Sequence, residues 1–159
     1  MKKYFLLIFL GVSLLVYSYK IYDSRIFYNS DDVFYKTISR LDYEIIDIQI
    51  FEADTLMEFT NITKLPYSYV NGAMIEKNGS VLIMLIPFKY FKTQEEINKT
   101  VQHELYHFYF TKNTTLESYE QEGIILNLQD NNIENDYLEF KKMSYKEIIE
   151  YIKKKKLNF

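Results

Sequence analysis

The chain has two histidines, His103 and His107, four positions apart and with Glu104 directly after the first, spelling His103-Glu104-Leu105-Tyr106-His107. On an α-helix, positions i and i+4 share a face, so both imidazoles converge on a point that suits one divalent cation, usually Zn²⁺. A carboxylate beside the first imidazole reaches a water held at the ion and acts as its base. The pattern HExxH therefore proposes metal-assisted hydrolysis, with His103 and His107 as ligands and Glu104 as proton acceptor.

Hydrolytic zinc commonly takes three protein ligands and keeps one position open, so one ligand remains to be found. The chain has no cysteine, which excludes thiolate ligands, thiolate catalysis and disulfides together. The longer pattern HExxHxxGxxH is also excluded, because Phe110 stands at its glycine and Asn113 at its third histidine. A carboxylate is left, and Glu117, Glu120 and Glu122 all lie where a following helix could return one of them.

Positioning these groups requires a helix over the motif. Thr93-Gln94-Glu95-Glu96 has the form of a capping box and predicts a helix from Gln94 to about Phe110. Ile97, Val101, Leu105 and Phe108 form its apolar stripe, with both histidines beside it. Thr114-Thr115-Leu116-Glu117 predicts a second helix reaching about Leu128, and Ser144-Tyr145-Lys146-Glu147 a C-terminal one. Upstream, Ser30 N-caps a predicted helix to Arg40, and Tyr43 to Phe51 reads as a strand with Ile46, Ile48 and Ile50 on one side. A helix is expected from Ala53 to about Asn61. Ala73 to Glu76 and Val81 to Ile86 then read as a hairpin across Lys77 to Ser80, ended by Pro87.

At 159 residues with 48% hydrophobic content, the chain is long enough for one core. A formal charge of −3 offers no basic field for a phosphate backbone, so nucleic acid is excluded as the expected partner. At the N-terminus, Lys2 and Lys3 precede an uncharged apolar run from Tyr4 to Tyr19, followed by Lys20. Residues 1–21 therefore read as a signal-anchor or a signal peptide. The stretch Leu15 to Tyr19 lacks a small-residue cleavage site, which favours an uncleaved transmembrane anchor with residues 22–159 outside the cytoplasmic membrane; secretion is the alternative.

The segment Tyr119-Glu120-Gln121-Glu122-Gly123-Ile124 resembles the W-x-x-E-G segment that follows HExxH in gluzincin metallopeptidases, including the shorter peptidase-MA-like proteins. The resemblance spans roughly residues 71–128. It implies Glu122 as the third zinc ligand, with Tyr119 replacing the family's tryptophan, and a peptide or protein substrate. The family's larger members have a longer interval between the second histidine and this glutamate. Such enzymes also use a tyrosine or histidine toward the oxyanion, here Tyr137 or Tyr145. The expected fold is α+β: a minimal zincin-like domain with a small, mainly antiparallel sheet on the HExxH helix, a helical C-terminal half and an N-terminal membrane or signal helix. A catalytically inactive zincin-like binding domain tethered to the membrane is the alternative.

Overall fold

The computed structural model describes residues 20–77, 80–129 and 135–157. Strand β1 (Lys20–Asp23) leads through a 3₁₀ turn, Ser24–Phe27, into helix α1 (Val33–Arg40) and strand β2 (Gln49–Glu52). Helix α2 (Leu56–Thr63) precedes the hairpin of β3 (Gly72–Lys77) and β4 (Ser80–Leu85). The remainder is helical: α3 (Gln94–Asn113), α4 (Ser118–Leu128), the short α5 (Leu138–Lys141) and α6 (Tyr145–Lys154). The chain is thus α+β, with a four-stranded sheet in the order β1-β2-β4-β3.

The sheet is mixed rather than mainly antiparallel: β1 with β2 and β3 with β4 are antiparallel, whereas the central pair β2 and β4 is parallel. Strand β3 carries the chain back to the end where β2 begins, so β4 can run beside β2 in the same direction, a pairing that a hairpin between them could not give. Alternation assigns the two faces. Ile50, Ile83 and Leu85 enter a core shared with α1, α3, α4 and α6, while Ala73, Met84 and Ile86 pack with Phe59 of α2 on the opposite face.

Several expected boundaries shift for local reasons. The predicted strand from Tyr43 is ladder-paired only from Gln49, because the Ile46 amide donates to the Tyr109 hydroxyl (3.1 Å) and the Ile48 amide to Ser24 Oγ (3.1 Å). Those side chains satisfy donors that a strand neighbour would otherwise take. Asp32, not Ser30, occupies the N-cap position of α1. The second capping box is Glu117 with Glu120, so α4 starts at Ser118 rather than at Thr115. Strand β1 takes in Lys20 and Ile21, the last two residues of the expected N-terminal membrane or signal segment. The rest of that segment, 1–19, lies outside the described residues, among which no helix is long and apolar enough to cross a membrane.

Helix α3 organises the molecule. Thr93 Oγ1 accepts from the Glu96 amide (3.1 Å), and the helix then runs 20 residues, longer than predicted. Its expected stripe of Ile97, Val101, Leu105 and Phe108 is buried, as are Tyr106, Tyr109 and Phe110. Phe34 of α1 packs edge-on against Tyr106 with ring centroids 4.9 Å apart. The helix is therefore held on several sides, and the face carrying the histidines is one of the few left open.

Candidate metal centre

His103 and His107 project from α3 toward the start of α4, and Glu122 of α4 meets them. Glu122 Oε2 lies 3.4 Å from His103 Nε2 and 3.3 Å from His107 Nε2, and the two Nε2 atoms are 3.2 Å apart. A tetrahedral ion with bonds of about 2.0–2.1 Å separates its ligand atoms by about 3.3 Å. The three donors thus already form one face of such a tetrahedron.

Hydrogen bonding defines which atoms can donate to a cation. Gln121, buried on α4, gives its amide nitrogen to the Leu116 carbonyl (3.1 Å) and Thr111 Oγ1 (3.4 Å), which turns its Oε1 toward His107 Nδ1 at 3.0 Å. His107 Nδ1 therefore carries the proton and donates it to Gln121, leaving the Nε2 lone pair facing Glu122 and His103. Acceptor atoms crowded at these distances need a proton or a cation between them. Without a cation, hydrogen bonds from both imidazoles hold the Glu122 carboxyl well below the usual carboxylate range. Burial pulls the His107 imidazole down, but hydrogen bonds with Glu122 and Gln121 and the charges of Glu104 and Glu122 outweigh it, so it is raised overall.

The other two candidate glutamates serve α4 itself. The Glu117 side chain caps the helix, and Glu120 accepts from the Glu117 amide (2.8 Å), from Lys155 Nζ (2.9 Å) and from the Tyr151 hydroxyl. Glu122 is the acid brought to the histidines. Its neighbour Gly123 has a packing reason: a Cβ there would stand 2.2 Å from Phe140 Cδ2. Tyr119, which stands where the W-x-x-E-G pattern has its tryptophan, stacks on Tyr137 and donates to the Asp136 carbonyl (2.6 Å).

Glu104 sits one residue beyond the first histidine, only 8% exposed. Burial raises its carboxyl above the ordinary value, with the His103 and His107 charges and a hydrogen bond from the Met74 amide pulling the other way. Met74 belongs to β3, the terminal strand on that side of the sheet. The Ile86 amide donates to the Asn71 carbonyl (3.0 Å), so with the antiparallel register Gly72, Met74 and Glu76 turn their own amides and carbonyls to the unpaired side. Gly72 is needed where β3 crosses α3, since a Cβ there would meet Leu85 Cδ2 at 2.8 Å and Thr100 Cγ2 at 2.9 Å.

A cleft of about 270 Å³ joins these parts, lined by His103, Glu104, Glu122, Tyr69, Asn71 and Gly72 among others. Tyr137 and Tyr145, the expected oxyanion donors, are not among its lining residues; Tyr145 borders a different groove, and the tyrosine on the cleft is Tyr69. That other groove, about 840 Å³, is lined by residues such as Val33, Leu128, Lys36 and Arg40 and has neither carboxylate nor imidazole. Gln121 and Tyr69 were not singled out by the sequence: one sits between two glutamates with no pattern of its own, the other is one tyrosine of 16. No family model, curated protein or solved structure matches the chain.

Proposed function

We propose that the chain is a zinc-dependent metallopeptidase of gluzincin type, held by its N-terminal segment at the outer face of the cytoplasmic membrane. The observation that carries this reading is the convergence of His103 Nε2, His107 Nε2 and Glu122 Oε2 to within 3.4 Å of one another, with the Glu104 carboxyl on the adjoining turn of α3. His103, His107 and Glu122 would hold the ion. A bound Zn²⁺ supplies Lewis acidity that polarises the scissile carbonyl and makes water ionise near neutral pH.

The chain's own residues do the rest. Glu104 takes the proton of the attacking water and passes it to the leaving amine; its burial raises its proton affinity toward the range where a carboxylate both accepts and donates. The outward groups of Gly72 and the Met74 carbonyl align an extended peptide as an added strand, independently of its side chains. The Tyr69 phenol, on the cleft wall, donates toward the developing oxyanion.

Glu104→Gln tests the assignment. The variant should retain stoichiometric zinc while peptide hydrolysis drops by at least about 100-fold, the lower end for losing a general base. Undiminished hydrolysis would remove Glu104 from the mechanism. A wild-type chain that binds one zinc yet cleaves no member of a broad peptide library would instead be the inactive binding domain.

A further inference from the structure

The register sets four residues in one row across the sheet: Lys20 opposite Glu52, Glu52 opposite Leu85, and Leu85 opposite Gly72. This row is one end of the sheet. The uncharged run of residues 4–19 joins the domain there, at Lys20; the connection 53–71 leaves from and returns to the same end, and 86–91 leaves from it.

Those connections carry large apolar side chains in water. Met57 is 72% and Tyr69 85% exposed, and Tyr67 and Tyr90 are also exposed. All four lie within five residues of Glu52, Leu85 or Gly72 along the chain. Lys64, Lys89 and Lys92 are exposed among them, with the Lys89 ammonium over the Tyr90 ring at 5.2 Å. Tyrosine with lysine is the mixture that suits a bilayer interface, where the ring sits at headgroup depth and the amine reaches out to the headgroups. Asp54 and Glu58 share this end, so the attraction is interfacial and apolar rather than a matter of net charge.

We infer that this end of the sheet, carrying Met57, Tyr67 and Tyr90, lies against the phospholipid bilayer that receives residues 4–19. The inference rests on the membrane part of the proposed function and not on its chemistry. It gives the tether an orientation: the cleft wall at Tyr69 to Gly72 opens beside the headgroup layer, and a peptide enters along the membrane surface.

The absence of cysteine makes the test clean, because one introduced thiol is the only site that a label can take. The full chain is reconstituted into phosphatidylcholine vesicles after Met57→Cys, Tyr67→Cys or Tyr90→Cys, or after Asp47→Cys or Ser80→Cys at the opposite end of the sheet. Each variant carries a nitrobenzoxadiazole label, and circular dichroism checks its fold. Quenching by doxyl-labelled lipid should be several-fold stronger at 57, 67 and 90 than at 47 and 80. Vesicle association with equal quenching at all five positions overturns the orientation and leaves the tether standing. Failure of the full chain to associate with vesicles overturns both. Neither outcome bears on zinc or on hydrolysis.

Discussion

Gln121 provides the sharpest test of how the proposed metal centre is built, because it is not one of the three proposed ligands and meets them only through His107. Its Oε1 stands 3.0 Å from His107 Nδ1, and its own nitrogen is fixed by the Leu116 carbonyl at 3.1 Å. In Gln121→Leu the His107 N–H loses its acceptor and the Leu116 carbonyl its donor, at a side chain only 6% exposed, where water is a poor substitute. Loss of such an outer partner typically weakens metal binding by about 10- to 100-fold, or about 1.4–2.7 kcal/mol. The zinc-free fold should also lose about 1–3 kcal/mol for groups left unpaired. Gln121→Glu separates the causes: it keeps an acceptor for His107 but gives up the donor to Leu116. Zinc affinity should then stay within a few-fold of wild type while stability still drops. Competition with a chromophoric chelator measures affinity, and far-UV circular dichroism of the zinc-free chain checks folding. Gln121→Leu binding zinc within about twofold of wild type, while folded, would refute the claim that this amide orients His107.

The Glu122–His107 pair and the tight seat of Gly123 give three further outcomes. Without zinc, Glu122 is held below its ordinary 4.5, so its contribution to stability is complete above that value and is lost as pH falls through the folded value. His107, on which burial acts downward but hydrogen bonds to Glu122 and Gln121 prevail, is raised above 6.5; its contribution is complete below that value and is lost as pH rises through the folded one. The zinc-free thermal midpoint should therefore carry its largest contribution from this pair between 4.5 and 6.5. Because zinc needs unprotonated imidazoles, the midpoint gained on adding it should grow from about pH 6 to about pH 8, and calorimetry showing a gain independent of pH would contradict this. Gly123→Ala places a Cβ 2.2 Å from the Phe140 ring and should cost about 1–3 kcal/mol in denaturant melts, whereas a neutral result would mean that α5 repacks freely.

Local signals account for what the sequence made legible. Helix α3 was visible because Thr93 and Glu96 mark its start and a stripe of apolar residues repeats along it; the β3–β4 hairpin was visible because a turn-forming stretch separates two short apolar runs. Strand β1 was not, since Lys20–Asp23 is half exposed and is recruited by main-chain pairing with residues some thirty positions on. The mixed sheet was hidden for the same reason: pairing of Ile50 with Ile83 is a tertiary choice that neither segment encodes alone. At the candidate metal centre the ligand types were legible from the residues alone, whereas singling out Glu122 took the resemblance of residues 119–124 to the W-x-x-E-G segment. Positions 120 and 122 differ by about 200° around a helix, so they must face opposite ways. What decides between them is the C-terminal segment, where Tyr151 of α6 and Lys155 at its C-cap claim Glu120 from the far side.

The interval between His107 and Glu122 is where the sequence left most tension, with only residues 108–121 available to turn the chain and bring a carboxylate back. The geometry closes because the two helical arms nearly match. From His107 to Asn113, the end of α3, is six residues, or about 9 Å of rise, and from Ser118 to Glu122 is four, or about 6 Å. The connection of residues 114–117 makes up the difference without slack. Thr114 Oγ1 bonds back to the Phe110 carbonyl (2.6 Å), and the Thr115 amide donates to the Lys155 carbonyl (2.8 Å), so the turn is tied both to the helix it leaves and to α6. Glu117 then caps α4 at once, leaving no loose residue before the returning helix. A longer interval would place the glutamate on a later turn and require a longer loop, whereas this chain shortens both together and keeps the returning carboxylate level with His103 and His107. The C-terminal helix is thereby part of the support of the His103, His107 and Glu122 cluster, although none of its side chains belongs to it.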